Sequence, residues 1–431
     1  MRIRGPWPLL LLVALLPALI TGAEFLYRLA FVLMASSALG ALWVWVNLRG
    51  LEIERDLRSP RAQVGGKVED RLFLRNRSRL PKFWLEIVDE SDLGGHRASR
   101  IISYLGPGQE LSWGVESVPR RRGQYRLGPV LLTSRDPLGF FEARRRFPAV
   151  APLVVYPATL ELPPLALPRG PFLGGATLRR RTQEITPNAS GVREYHPGDS
   201  LNRIHWPSVA RTGRLLSKEF EQDPLADVWI VLDFEEASHV VAPREDSPAD
   251  EPAPTDPGWM RRQIIPLPPS TEEYAVTLAA SLARQQVGLG RGVGLIAWGA
   301  RREVLPVDRG ERPLAKILET LAVIRADGET PLAEVLSAEA SRFVGTTTLV
   351  ITSSTAEAWV GALRHLGGRA ACIVIYIEPG TFGSAPSSLR ILGALAAANL
   401  PTYLVKCGDQ LAPALSQPLI EPVAQAGVGE K

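Results

Sequence analysis

Two apolar runs separated by three residues open the chain and restrict what it can become. Pro8 to Thr21 is leucine-rich and uncharged, and Phe25 to Val46 is longer, carrying only Arg28 near its start. The second run is long enough to cross a bilayer, which takes about 20 apolar residues. The first reaches that length when Trp7 and its flanks are counted. Only Gly22, Ala23 and Glu24 lie between them, so the spacing predicts a tight transmembrane helical hairpin over residues 1–50. Arg2 and Arg4 precede the first run, and Arg49, Arg55 and Arg58 follow the second. Positive charge at both outer ends predicts a multi-pass protein of the inner (plasma) membrane with its soluble domains in the cytoplasm. Trp43 and Trp45 then fall at the inner interface as aromatic anchors. The alternative is a signal peptide cleaved near Gly22; Ile20-Thr21-Gly22 is a poor small-residue site, and the second run would remain.

The 431 residues leave room for two soluble domains, and 45% hydrophobic against 22% charged residues supplies real cores. The net charge is only +4. Arg120–Arg122, Arg144–Arg146 and Arg179–Arg181 could meet phosphates but read more simply as solvated strand-end charge. They lack interleaved aromatics and a recognisable module, so nucleic acid is not an expected partner. Cys372 and Cys407 sit in apolar, strand-like surroundings, without disulfide or metal-knuckle spacing.

Residues 51–160 change to short alternating segments. Arg71–Arg75, Phe83–Val88, Tyr125–Leu132 and Leu153–Tyr156 read as strands, broken at Asn76–Ser78, Gly94–Gly95 and Gly106–Gly108. This pattern predicts an antiparallel β-sandwich-like domain on the scale of one immunoglobulin-like unit. Asp136 to Phe141 reads as a turn followed by an aromatic anchor, and no catalytic constellation is visible in this domain.

Residues 227–431 alternate strand and helix. Asp227–Phe234 is a continuous apolar strand ending in an acid, followed by a Pro-, Asp- and Glu-rich insertion over 241–269. Ser270 and Glu273 form a capping box for a helix running to Gly288 or Gly290. Strands follow at Val293–Trp298, Thr348–Ser353, Cys372–Ile377 and Thr402–Val405. Helices follow at Leu314–Ile324, Thr330–Phe343, Ala356–Leu366 and Leu389–Ala398. That order predicts an open, doubly wound, Rossmann-type α/β sheet with ligand sites at the carboxyl ends of its strands.

Asp233, Thr330 and the Thr352-Ser353 pair come from three such ends, and the arrangement resembles a von Willebrand factor A domain. That family's metal site uses Asp-x-Ser-x-Ser, a later Thr and a further Asp. Here the Asp is Asp233, Glu235 and Ala237 occupy the serine positions, Thr330 matches the Thr within Asp327 to Leu332, and Ser353 replaces the last acid. Mg2+ wants carboxylate-rich octahedral oxygen, so Asp233, Glu235 and Thr330 are a degenerate set and no cofactor is expected.

Between these domains, residues 161–226 hold a linker and the densest polar block. Gly198-Asp199-Ser200-Leu201 spells a serine-esterase motif, but no buried strand delivers Ser200 and no late Asp-x-x-His pair exists. Asp199 and Ser200 read as a turn and helix cap, and Pro207 as the start of a short helix. Taken whole, Arg193 to Ser200, Arg203 to Trp206, Ala210 to Leu215 and Lys218 to Glu221 closely resemble the hallmark block of the "domain of unknown function 58" family. Pro207 departs from it, since members usually carry Lys or Arg there. The resemblance, which also spans the two membrane runs and the β-rich segment, implies association with MoxR-type AAA+ ATPases and with transglutaminase-like membrane proteins.

Arg193, Arg203, Arg211, Arg214 and Lys218 alternate with Glu194, Asp199, Glu219, Glu221 and Asp223, interleaved with Tyr195, Ile204, Trp206 and Phe220. This reads as a partly buried ion-pair network or as a docking surface formed by Arg193, Glu194, Tyr195, Gly198, Asp199, Arg203, His205, Trp206, Arg211, Lys218 and Glu219. With no Gly-x-x-x-x-Gly-Lys-Ser/Thr run, ATP hydrolysis would belong to a partner. The expectation is a membrane-anchored, non-enzymatic adaptor or assembly factor. The alternative is a metal-dependent hydrolase using Asp233, Glu235, His205 and Thr330.

Overall fold

A computed structural model describes residues 2–3, 7–165, 189–194, 204–220, 227–242, 267–367 and 369–421. The described residues up to Ala158 form one unit and those from Thr159 onward another.

The first unit begins with strand β1 (Arg2–Ile3) and helices α1 (Trp7–Thr21) and α2 (Glu24–Leu48). α2 is long and apolar enough to cross a membrane; α1 is equally apolar but shorter. The two pack together, and Ala14, Ala18 and Ala30 are the small residues buried there, as close helix approach requires. Ten strands follow: β2 (Leu51–Leu57), β3 (Arg61–Gln63), β4 (Val68–Asn76), β5 (Lys82–Asp89), β6 (Arg100–Leu105), β7 (Glu110–Ser117), β8 (Gly123–Leu127), β9 (Val130–Arg135), β10 (Phe141–Phe147) and β11 (Ala151–Tyr156). They make a five-stranded sheet in the order β1-β10-β9-β5-β6 and two three-stranded sheets, β2-β4-β7 and β3-β11-β8. Leu85, Ile87, Ile102 and Leu132 of the first and Ile53, Leu72 and Leu74 of the second share one core, giving the sandwich.

The expected strand over 125–132 is in fact two, because Gly128 takes a φ of 79° and Pro129 cannot continue the ladder. Trp84 is a non-glycine residue at φ 50°, and the β5–β6 ladder pairs Phe83 with Tyr104 and Leu85 with Ile102 without a pair at Trp84. A bulky residue held there costs about 1–3 kcal/mol, yet its side chain is 64% exposed.

The sandwich encloses charge. Arg55, in phase with Leu51 and Ile53 on β2, meets Asp70 of β4 at 3.2 Å and Asp89 of β5 at 2.5 Å. His96 Nε2 lies 3.2 Å from Asp70 and 3.3 Å from Asp89, and its Nδ1 lies 2.8 Å from Ser117 Oγ. All four charged side chains are within 1% of complete burial. A Cβ on Gly128 would stand 2.7 Å from Arg55 Nη1, so glycine makes room for the guanidinium. Burial alone would push His96 down, but the hydrogen bonds and charges of Asp70 and Asp89 hold it raised. Burial likewise works to raise Asp89, and His96, Ser91 and Arg55 together hold it lowered.

The second unit holds β12 (Ala189–Glu194), α3 (Trp206–Thr212), β13 (Leu216–Phe220), β14 (Val228–Leu232), α4 (Thr271–Gly288), β15 (Val293–Trp298), β16 (Arg302–Asp308), α5 (Glu311–Val323), α6 (Leu332–Ala338), β17 (Thr347–Thr352), α7 (Ala358–Leu366), β18 (Ala371–Ile377), α8 (Leu389–Ala397), β19 (Thr402–Val405) and α9 (Leu411–Ala414). Its main sheet runs β16-β15-β14-β17-β18-β19, parallel except for β16. Val228, Ile230 and Leu232 face α4 and α5, whereas Trp229 and Val231 face α6, α7 and α8; the sheet is doubly wound. Gly294 accommodates the Trp229 ring, which a Cβ there would approach to 2.6 Å. β16 was not anticipated, because Arg302, Pro306 and Asp308 mask the edge-strand alternation. The helix expected over Thr330–Phe343 is only α6 plus a short 3-10 turn at Ala340–Arg342. Leu160, Leu162 and Leu165, near and within the expected linker, pack on the α/β core, where Gln285 donates to the Leu162 carbonyl at 2.7 Å.

Truncating one partner of a buried ion cluster strands the others. His96→Ala should therefore cost about 3 kcal/mol in urea unfolding of the detergent-solubilised protein. In the wild type, Asp89 contributes above its unfolded pKa and loses its contribution as pH falls through its lower folded value. His96 contributes below its unfolded pKa and loses its contribution as pH rises through its raised folded value. The network should stabilise most between about pH 4 and about pH 6.5, and His96→Ala should abolish the upper limb of that profile.

Candidate functional site at the sheet edge and the hairpin block

In the α/β unit the strand order reverses between β14 and β17, the place where open sheets of this kind form their crevice. Asp233 follows β14 and Thr352 ends β17, so parallel pairing brings them together; Thr352 Oγ1 donates to Asp233 Oδ2 at 2.6 Å. The Glu235 backbone N–H donates to Asp233 Oδ1 at 3.2 Å, and the Ser354 N–H donates to Thr352 Oγ1 at 2.9 Å. The loop after α5 joins them through backbone alone. Gly328 donates to the Phe234 carbonyl and accepts from the Glu236 N–H. A Cβ at Gly328 would come within 2.6 Å of the Trp298 carbonyl, so only glycine lets these loops close. Thr330 stands two residues beyond this contact, half-buried.

His239, which the sequence reading passed over, completes the cluster. Its Nε2 donates to the Asp233 carbonyl at 2.8 Å, and its Nδ1 lies 3.0 Å from Thr271 Oγ1 at the start of α4. The only signal in sequence was its place six residues after the strand-end acid. His205 is elsewhere in its bonding: its Nδ1 lies 2.6 Å from Ser208 Oγ of α3.

Burial pushes the Asp233 carboxyl up, against the opposing hydrogen bond from Thr352. Glu235 is raised by burial first and then by the charge of Asp233. A divalent cation needs several charged oxygens free to converge. Asp233 is 2% exposed and already hydrogen-bonded, Glu235 accepts from Ser238 at 3.3 Å, and Ser353 donates to the Ser238 carbonyl. Among the described residues no group of three or more His, Cys, Asp or Glu side chains is placed to hold a metal ion. The residues present do not fit Mg2+. What the arrangement achieves is a hydrogen-bonded closure of three loops over the sheet edge.

Of the polar block, Tyr195, Gly198, Asp199 and Arg203, with the Gly198–Leu201 motif, lie outside the described residues. Arg193 and Glu194 stand on β12, and Lys218 and Glu219 on β13, an antiparallel hairpin pairing Arg193 with Ser217 and Val192 with Lys218. Ile204 bridges to Ser217, and the His205 N–H donates to the Leu216 carbonyl at 2.9 Å, seating α3 on the hairpin. Pro207 lies in the first turn of α3, and Gly213 ends it in the left-handed conformation at φ 68°. Ile204 is buried, but Trp206 is 62% exposed and Arg211, in the last turn, is exposed. Both side chains face outward.

A family model described as "Protein of unknown function DUF58" matches residues 191–245, the hairpin block together with β14. The "Uncharacterized protein YeaD" of Bacillus subtilis (strain 168) is 22% identical over 339 residues, covering 76% of this chain and 77% of that protein. The resemblance to the domain of unknown function 58 therefore stands. Among solved structures, the CARDB domain of the PF1109 protein from Pyrococcus furiosus, in complex with di-metal ions, is 16% identical over 24% of this chain and 86% of its own, with a TM-score of 0.19. Proximal thread matrix protein 1 of the mussel byssus is 12% identical over 44% of this chain and 46% of its own, with a TM-score of 0.29. Neither score establishes a shared fold.

A raised carboxyl pKa in the folded state costs stability as pH rises above the unfolded value, about 3.9 for Asp. Asp233→Asn should therefore leave the protein folded, with a stability advantage over wild type that grows from about pH 4 upward. Urea unfolding of both proteins between pH 4 and 8 measures that difference. A variant that fails to fold would show that both acceptor oxygens of Asp233, one for Thr352 and one for the Glu235 N–H, are required.

Proposed function

We propose that the chain is a membrane-anchored, non-enzymatic adaptor whose α3 block docks a MoxR-type AAA+ ATPase. The observation that carries this reading is Trp206, 62% exposed at the head of a seven-residue helix whose other end presents Arg211. Exposed Trp and Arg are the residue types that dominate binding hot spots, and Arg offers a planar fork to carboxylates. The hairpin beneath α3 holds the helix backbone in place, so little backbone ordering is left for the bound state. In this reading the α/β unit is von Willebrand factor A-like, supported by its strand order and by Asp233 at the reversal of that order. Its strand-end loops serve to hold the fold.

The anchor in this reading is a two-span hairpin. β1, before α1, pairs with β10, and α2 also ends against β10, so both outer ends of the helical pair leave from one side. Arginine at both ends favours the cytoplasm for that side. A transglutaminase-like membrane protein as a further partner rests on the family resemblance alone.

The test is a pull-down of the detergent-solubilised full-length protein with and without ATP and a hydrolysis-trapping analogue. An AAA+ ATPase should co-purify, and Trp206→Ala or Arg211→Ala should each weaken it by about 2 kcal/mol, roughly thirty-fold. Absence of any such ATPase under every nucleotide condition would remove the adaptor reading.

A further inference from the structure

We propose that one end of the β-sandwich is itself a membrane-binding surface, with Leu138 inserted below the headgroups and Leu80, Trp84 and Tyr104 in the interfacial layer of a phospholipid bilayer. This rests on reading α2 as a membrane span.

The first support is where α2 meets the sheet. Gly40 lies against the Asp136–Phe141 turn, where a Cβ would stand 3.2 Å from both Asp136 Oδ2 and the Phe141 ring. Gly40 is six residues before Val46, the last residue of the apolar run. At 1.5 Å per residue that is about 9 Å inside the apolar end of the helix. Further along α2, Trp43 stacks on Phe83 at 5.5 Å, Asn47 Nδ2 donates to the Phe83 carbonyl at 2.7 Å, and Arg145 Nη1 donates to the Leu48 carbonyl at 3.2 Å. The helix therefore runs alongside the sheet, with the turn at the membrane-ward end. A bilayer that covers the apolar run of α2 must reach the level of this turn.

The second support is what that end presents. Register places Phe83, Trp84 and Tyr104 at the same end of the sheet as the turn, since Leu85 pairs with Ser134 and Phe83 with Tyr104. The Leu80 carbonyl accepts from Asn76 and from Ser78, which borders Gly50 just past the end of α2, at the level of the interface. Leu138 is 57% exposed, Leu80 54%, Trp84 64% and Tyr104 56%. Lipid-facing backbone must satisfy its own polar groups, and the turn meets this for three of its N–H groups. The N–H groups of Leu138 and Phe141 donate to the Asp136 carboxylate at 3.0 and 2.5 Å, and that of Gly139 donates to the Asp136 carbonyl at 3.1 Å. Exposed Arg49 and Arg79 border this end and suit lipid phosphates. Trp84 in a left-handed backbone conformation, aimed outward, fits an interfacial anchor.

The experiment uses the full-length protein in nanodiscs of three parts phosphatidylcholine to one part phosphatidylglycerol. Spin labels are placed singly by Leu138→Cys, Leu80→Cys, Val32→Cys and Lys67→Cys in a Cys372→Ala, Cys407→Ser background. Collision rates with oxygen and with a water-soluble nickel chelate are compared. Labels at Leu138 and Leu80 should favour oxygen, with a ratio several-fold above that at Lys67, and Leu138 should lie deeper than Leu80. If Val32 is lipid-embedded while Leu138 and Leu80 match Lys67, this inference is wrong and the anchor reading survives. If Val32 itself is water-accessible, both fall.

Discussion

The carboxyl end of α2 sets the terms for the unit around it. A helix leaves its last carbonyls without intrahelical partners, and where such an end is buried against a sheet the neighbouring strands must supply them. Here the sheet supplies the partners. The ammonium of Lys82 donates to the Val46 carbonyl, Arg145 donates to that of Leu48, and the Asn47 side chain both donates to and accepts from the Phe83 backbone. Two cations at a helix C-terminus also oppose the negative end of its dipole. Burial lowers the Lys82 pKa. The helix is therefore fixed to the sandwich rather than tethered to it.

The two units keep polar groups inside for different ends. In the sandwich, Arg55, Asp70, Asp89 and His96 link facing sheets through one buried cluster of mutually paired groups. In the α/β unit, Asp233 and Thr352 sit where a ligand would enter an open sheet of this type, yet they are spent on each other and on neighbouring backbone. Buried polar groups satisfied by their own protein rigidify a site. The exposed pair Trp206 and Arg211 is the contrasting case, with apolar area and charge left toward solvent.

Much of the architecture was legible because it is written in local period. The β15, β18 and β19 boundaries follow apolar runs, and α4 starts after Ser270 and runs to Gly288 as expected, but Ser270 makes no side-chain cap hydrogen bond, so the expected capping box does not form. The Asp136 turn and Phe141 anchor stand as the residues suggest. Edge strand β16 was hidden because one face is solvated and Pro306 interrupts it. The buried ion cluster left a trace in the sequence: Arg55 alternates in phase with Leu51 and Ile53, and Asp70 with Val68 and Leu72. A charge in phase with the core is a request for a partner, but its identity comes from strands and loops remote in sequence. His239 and His205 make the same point, since both are ordinary loop histidines in sequence and only contact assigns one to Asp233 and the other to Ser208.

By itself the sequence determined the kinds of element and their order: an apolar helix able to cross a membrane, a sheet-rich segment, a polar block similar to domain of unknown function 58, and an alternating α/β unit. These follow from side-chain period and turn chemistry, which act over a few residues. Tertiary structure alone decided which polar groups are consumed internally and which face outward. It closed Thr352 onto Asp233, set Gly40 against the Asp136 turn, and left Trp206 and Trp84 exposed. The reason is physical: burial and desolvation depend on distances between residues far apart in the chain, and no local pattern carries those distances.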